Sequence, residues 1–189
     1  MSEEGPPRRR RADAERNRTR LLEAGRAAFA SGREPVTLER IARDAGVGIG
    51  TLYRHFPTRE AFVEALYREE VAQLCASAEV LLAAENPVHA LRRWMDRFAE
   101  YATAKREMAD SLRVLLSSGA VAITDVREDL TAAVQTILDA GISDGTLRAD
   151  VRAEDIVVSV VGMTSATAVD GGREQLDRMF DLLLDGVRR

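Results

Sequence analysis

Thr51, Tyr53, Arg54 and His55 place four hydrogen-bond donors within five consecutive residues. Hydroxyl, phenol, guanidinium and imidazole all donate to phosphate oxygens. A guanidinium also matches, with two bonds at once, the acceptor pair on a guanine edge. Just ahead of them stand Gly48, Ile49 and Gly50. Glycine costs a helix roughly 1 kcal/mol relative to Ala, so two of them at one short helix suggest a backbone that must approach something closely. Ile49 offers an apolar contact of the kind a thymine methyl takes. This is chemistry for recognising duplex DNA.

Those residues need elements to hold them. From Leu38 to Pro57 the chain reads Leu-Glu-Arg-Ile-Ala-Arg-Asp-Ala-Gly-Val-Gly-Ile-Gly-Thr-Leu-Tyr-Arg-His-Phe-Pro. Two short helices crossing steeply require a small residue at the crossing, a residue tolerant of positive φ at the turn, and apolar residues on the facing sides. Ala42, Gly46 and the set Ile41, Val47 and Leu52 supply these in turn. Thr37 fits the N-cap of the first helix, Leu38 to Ala45. The second, about Gly48 to Phe56, becomes a rod about two turns long with Ile49, Gly50, Thr51, Tyr53, Arg54 and His55 largely outside the core, and such a rod fits the major groove. Singly, Tyr53 also fits packing between helices, and Arg54 and His55 fit an ordinary solvated face. Their combination at this spacing is what points to DNA.

The rest of the chain reads as all-α. A helix from Asp13 carries Leu21, Gly25 and Ala28 at helical spacing, and Ser31-Gly32 ends it. Thr58 is the next N-cap, and Val63, Tyr67, Val71, Leu74, Ala78 and Leu81 hold one helical face from Arg59 towards Ala84. Asn86-Pro87 interrupts. Further helices are expected at about 88–105, 107–117, 125–141, 153–169 and 173–188, with breaks at Ser118-Gly119, Ser143-Asp144-Gly145 and Asp170-Gly171-Gly172. No strand alternation and no internal repeat is present. The expected organisation is a flexible basic arm over 1–12, a helix-turn-helix domain over 13–57 and a helical body over 58–189.

Composition agrees. The 189 residues are 46% hydrophobic and 31% charged, with only 5% aromatic, which favours a helical packed chain over a disordered one. Residues 1–57 hold 12 arginines against 8 acidic residues, while residues 58–189 hold 15 basic against 23 acidic. A basic front on an acidic body suits a nucleic-acid-binding head, although a basic tail plus chance clustering gives the same balance. Cys75 is the single cysteine, so no intrachain disulfide forms; it reads as a small core residue and the chain as cytoplasmic. With only His55 and His89, neither a zinc finger nor a histidine-rich metal site is expected. No apolar run approaches the roughly 18 residues that span a bilayer, and Arg8 to Arg11 near the N-terminus are not followed by the apolar segment of a secretory signal. Neither a cofactor nor an enzymatic activity is expected, since no Ser-His-Asp arrangement, phosphate-cradling glycine loop or metal-ligand spacing occurs.

The stretch Ile41-Ala42, Ala45-Gly46-Val47, Gly50-Thr51-Leu52-Tyr53 and His55-Phe56-Pro57-Thr58-Arg59-Glu60-Ala61 resembles the signature of the TetR family of bacterial transcription regulators. The head resemblance covers about residues 13–62. Gly145-Thr146-Leu147-Arg148 before a late helix is also similar to what many members show. The resemblance implies a three-helix DNA-binding head ahead of a larger domain that binds a ligand and dimerises. It implies that Thr37 and Arg59 contact phosphates, and that Gly50, Thr51, Tyr53, Arg54 and His55 face DNA. Gly48 and Ile49 depart from the Ser and the polar or basic residue common there, so no operator sequence carries over.

The resemblance further implies a cavity between middle helices. Trp94, Phe98 and Tyr101 at i, i+4 and i+7, with Met108, Leu112 and Leu116, read first as plain core and are also its candidate walls. Ile156, Val160 and Val161 on one late helix, with Leu176, Phe180, Leu183 and Val187 on the last, are candidates for a homodimeric four-helix bundle; the alternative is that they pack only against their own body. The expected partners are double-stranded DNA, a second copy of the chain and a small-molecule effector, with no membrane. An enzyme or carrier with an accessory head, a non-specific architectural DNA-binding protein, and an activator in place of a repressor stay open as competing readings.

Overall fold

Caps and helix breakers divide the described residues, 7–30, 36–117, 123–168 and 172–189, into nine helices in the computed structural model. They are α1 Pro7–Ala30, α2 Leu38–Asp44, α3 Ile49–His55, α4 Arg59–Ala84, α5 Pro87–Glu107, α6 Ala109–Ser117, α7 Ile123–Ser143, α8 Ala153–Ala166 and α9 Gly172–Val187. The fold is all-α; an isolated antiparallel bridge between Leu147 and Arg188 is the one non-helical pairing among the described residues. α1 starts at Pro7, inside the segment expected to be a flexible arm. Proline is at home there, because its fixed φ suits the first helical position and its missing N–H had no intrahelical partner to lose. The expected breaks at Ser118-Gly119 and Asp170-Gly171 lie outside the described residues.

The chain packs as two compact units. One comprises Met1–Arg68 with Ala104–Val121, the other Glu69–Thr103 with Ala122–Arg189. This differs from a single cut after residue 57, because the first turns of α4 and the segment holding α6 count with α1–α3. The side chains give the reason. Phe62 and Val63 of α4 are fully buried, and Phe62 meets the Phe56 ring edge-on at 5.1 Å between centroids. Lys105 lies 5.7 Å from the centroid of Tyr67. α1, α2 and α3 all touch one another.

Turn chemistry sets the connections. After α2, Gly46 adopts φ 64°, its N–H donates to the Arg43 carbonyl at 3.1 Å, and the Val47 N–H donates to the Ala42 carbonyl at 2.9 Å. That is a Schellman closure, with glycine in the left-handed conformation that other residues adopt at a cost. The same closure ends α7. Gly145 has φ 79°, its N–H donates to Ile142 at 3.2 Å, and the Thr146 N–H donates to Gly141 at 2.9 Å. Thr37 caps α2 by accepting from the Arg40 N–H at 3.2 Å, and Thr58 caps α4 by accepting from the Ala61 N–H at 3.1 Å. Asn86 does the same for α5, accepting from the His89 N–H at 3.0 Å, with Pro87 at its first position.

In the second unit α7 packs on α8 and α8 on α9. Arg92 of α5 reaches α9, with Nε 2.8 Å from Asp181 and Nη2 3.4 Å from Asp177, while its guanidinium covers the Phe180 ring at 5.5 Å. Cys75 is half-buried; desolvation first, then the charge of Asp129, pushes its thiol up to about 11. It is therefore protonated at neutral pH and a poor nucleophile, consistent with a packing residue. No helix among the described residues is long and apolar enough to cross a membrane.

Gly25 marks the tightest approach in the first unit. A Cβ built on it would lie 2.5 Å from Cζ of the fully buried Phe62. Gly25→Ala is expected to lower the unfolding free energy by about 1–3 kcal/mol, the range for overpacking a tight core, in a denaturant titration. An unchanged midpoint would mean that Phe62 has room to yield.

Candidate nucleic-acid interface

α3 is seven residues long, too short to be stable by its own hydrogen bonds. What holds it is burial on one side. Leu52 is inaccessible and Phe56, at its C-cap, is nearly so. The guanidinium of Arg18 on α1 lies 5.8 Å from the Phe56 centroid, which adds a cation–π contact. With that side fixed, the helical period turns the rest outward. Ile49 and Tyr53, one turn apart, keep 41% and 43% of their surface. Gly48, Gly50 and Arg54 are exposed, and Thr51 and His55 half-buried. Apart from the adjoining backbone, nothing lies within 4 Å of where a Cβ on Gly48 or Gly50 would sit, so that side of the helix is open.

The polar groups are arranged as well as exposed. Arg54 folds along its own helix, its Nε donating to the Gly50 carbonyl at 3.1 Å and its Nη2 to Thr51 Oγ1 at 3.1 Å. A guanidinium has five N–H donors, so two such bonds fix its direction and leave capacity for an outside acceptor. Thr51 thereby positions Arg54, a role not visible when the residues are read one at a time, although the i, i+3 spacing carried the signal. Thr37 is exposed at the start of α2. On α2, Arg40 and Arg43 both approach Asp44, at 3.6 and 3.8 Å.

Arg59 is drawn inward. It donates to the Val36 carbonyl, its guanidinium lies 5.9 Å from the Phe29 centroid, and it is half-buried. Its first visible role is thus to tie the start of α4 to α1 and to the approach to α2. Arg18 had not been singled out in the sequence, because no local spacing relates it to Phe56.

The residues offered as pocket walls divide. Trp94, Phe98 and Tyr101 are buried in the second unit and follow one another along α5, with centroids 5.8 Å and then 5.5 Å apart. Met108 and Leu112, also buried, belong to the first unit, so the set does not share one unit. The side chain of Leu116 lies outside the described residues.

The residues offered as a dimer interface divide as well. Ile156, Val160, Leu176, Phe180 and Val187 are buried within this one chain, as its own core. Only Val161 is exposed, with Leu183 half-buried. The physical reason is that the richest apolar stripe of each helix turns to its own body. What remains outside is a thinner set, Val158, Val161 and Leu182, the last 73% exposed, beside the exposed Gly162 and Ser165.

Comparison with known proteins points one way for both parts of the chain. Residues 21–66 match the family model described as "Bacterial regulatory proteins, tetR family". Residues 86–189 match that described as "Transcriptional regulator SbtR-like, C-terminal domain". A TetR transcriptional regulator from Streptomyces coelicolor has a similar crystal structure, with a TM-score of 0.82 and 45% identity over 90% of this chain and 98% of that one. A TetR transcription regulatory protein from Mycobacterium vanbaalenii gives 0.75 and 35% over 95% of this chain and 99% of that one. The HTH-type transcriptional repressor AcnR of Corynebacterium efficiens is 28% identical over 182 residues, 92% of this chain and 93% of its own length.

The open side of the helix at Gly50 makes a local prediction. With open space around the added methyl, Gly50→Ala is expected to raise the unfolding free energy by roughly 0.5–1 kcal/mol through helix propensity alone. A loss of stability in the same denaturant titration would show that the space is occupied in solution.

Proposed function

Since the chain belongs to the TetR family of bacterial transcription regulators, we propose that it is a sequence-specific repressor that leaves a near-palindromic operator when a small molecule binds. Residues 13–57 are the DNA-binding head in this reading, and residues 58–189 the sensing and dimerising body. The observation that carries it is the outward side of α3: Ile49, Gly50, Tyr53 and Arg54 exposed together on a helix pinned from behind by Leu52 and Phe56. α3 enters the major groove, Arg54 and Ile49 reach base edges, and Thr37, Thr51, Tyr53 and His55 hold phosphates. Gly48 and Gly50 let the backbone come close. The repressor reading is supported by the likeness to AcnR.

One seven-residue helix reads too few base pairs to select a site, so two copies must act together. Val158, Val161 and Leu182 are the exposed apolar side chains on α8 and α9. Beside them Gly162 and Ser165 permit close helix approach. A symmetric pair built there sets two recognition helices roughly 34–36 Å apart, or a small multiple of it. An effector that prefers a conformation with another spacing lowers DNA affinity by that preference.

Selection from a random duplex pool at near-physiological salt tests the reading. Enrichment of one near-palindromic site is expected, whereas unselective binding that collapses with added salt would instead indicate an architectural protein. On the selected site, Arg54→Ala is expected to weaken binding by about 10- to 100-fold and to relax the preference at one base position, as loss of a bidentate base contact does. Gly50→Ala, though better folded, should bind it less tightly. Leu182→Arg, at an exposed position that leaves the fold intact, is expected to give a monomer in analytical ultracentrifugation and at least about ten-fold weaker operator binding. A dimer of wild-type affinity would reject α9 as the interface.

A further inference from the structure

Among the described residues, burial leaves two side-chain donors of the second unit without a hydrogen-bond partner, Arg92 Nη1 and Trp94 Nε1. Trp94, the only tryptophan of the chain, is fully buried in α5, and its Nε1 has no hydrogen-bond acceptor among the described residues. An indole N–H withdrawn from water ordinarily keeps one. The other buried polar side chains of this unit do. Ser77 donates to the Leu74 carbonyl at 2.7 Å, Thr164 to Val160 at 2.9 Å and Thr167 to Met163 at 2.8 Å. Arg92 Nη1 shares the condition among the described residues, although it still lies 2.6 Å from an Asp96 carboxylate oxygen, off the hydrogen-bond line. Trp94 has no such compensation.

The surroundings say what could satisfy it. Phe98 lies 5.8 Å from the Trp94 ring, and Tyr101 5.5 Å from Phe98, on the same side of α5. The helical period puts Arg92 and Asp96 on the opposite side, where they pair with each other and with α9. Arg93 pairs with Glu85. An aromatic ring would stack, and an oxygen on it would take the indole proton.

We infer that Trp94 Nε1 is the polar anchor for an aromatic molecule bearing one hydrogen-bond acceptor, a ketone-type oxygen being the simplest. The inference rests on the effector-sensing reading above and names the chemical class of effector.

The test uses the full-length protein and a matched pair of probes, acetophenone and ethylbenzene, which differ in the acceptor. Trp94 gives one indole cross-peak in a ¹H–¹⁵N spectrum. Before addition that proton is expected at the upfield position of an unbonded indole, and acetophenone, but not ethylbenzene, is expected to move it downfield. By calorimetry, Trp94→Phe should weaken acetophenone by about ten-fold and leave ethylbenzene within about two-fold. Ethylbenzene binding thus doubles as the check that the variant is folded. An indole already hydrogen-bonded in the free protein would overturn the proposal by revealing a buried water or internal acceptor. So would an unmoved resonance at the solubility limit of acetophenone, or equal losses for both probes. Operator affinity is scored separately. A downfield shift with unchanged DNA binding supports the site and defeats the effector reading. Undiminished DNA release by acetophenone from Trp94→Phe defeats the site and keeps the effector reading.

Discussion

A helix of seven residues has no stability of its own in water, so everything α3 does depends on the burial of Leu52 and Phe56. Those two side chains fix the rotation of the helix about its axis. Once that rotation is set, the period of 3.6 residues decides the rest. Ile49 and Tyr53 face outward, Gly50 and Arg54 lie beside them, and Thr51 stands close enough to hold the Arg54 guanidinium. Phe56 is itself held from three directions, by Arg18 of α1, by His55 next to it and by Phe62 of α4. The outward surface of α3 is rigid because the residues behind it are apolar and crowded.

The turn that brings α2 onto α3 depends on a backbone conformation more than on a contact. Gly46 closes α2 in the left-handed region, and the chain uses the same closure, bond for bond, at Gly145 after α7. In each case a buried apolar residue follows at once or one position later, Val47 in the head and Leu147 in the body. Leu147 presses on the helix it has just left, at Gly141, where a side chain would collide with it. Turning a helix and covering its end are thus one operation, performed by glycine and the apolar residue after it.

Much of this was legible in the sequence where chemistry is local. Thr37, Gly46, Thr58, Asn86 and Pro87 act through neighbours a few residues away, and the elements they delimit came out within a few residues. The outward side of α3 was legible for the same reason. Three features were not. α1 starts at Pro7 because proline suits the first position of a helix as well as it suits coil, and composition alone favoured coil. The inner and outer sides of α8 and α9 could not be told apart, because periodicity finds the most apolar stripe without saying whether its own chain or another covers it. Val160 and Val161 are adjacent in sequence, and one is fully buried while the other is open. The inward partners of Arg59, the Val36 carbonyl and the Phe29 ring, were not legible either, because they lie many residues away.

The first unit is discontinuous in the chain: it is completed by Ala104–Val121, which is made only after Glu69–Thr103 has been threaded through the other. The chain therefore passes between units at Arg68, at Thr103 and again at Val121. A regulator built this way is a poor subject for simple cut-and-paste recombination. Grafting its first 57 or 68 residues onto a foreign body would transplant the outward surface of α3 but leave behind part of the packing that belongs with it. A chimera that keeps the native unit whole needs two junctions more, so that residues 104–121 travel with the head. By the same token, lineages that exchange heads are expected to exchange this later segment with them, or to evolve compensating apolar residues along α4.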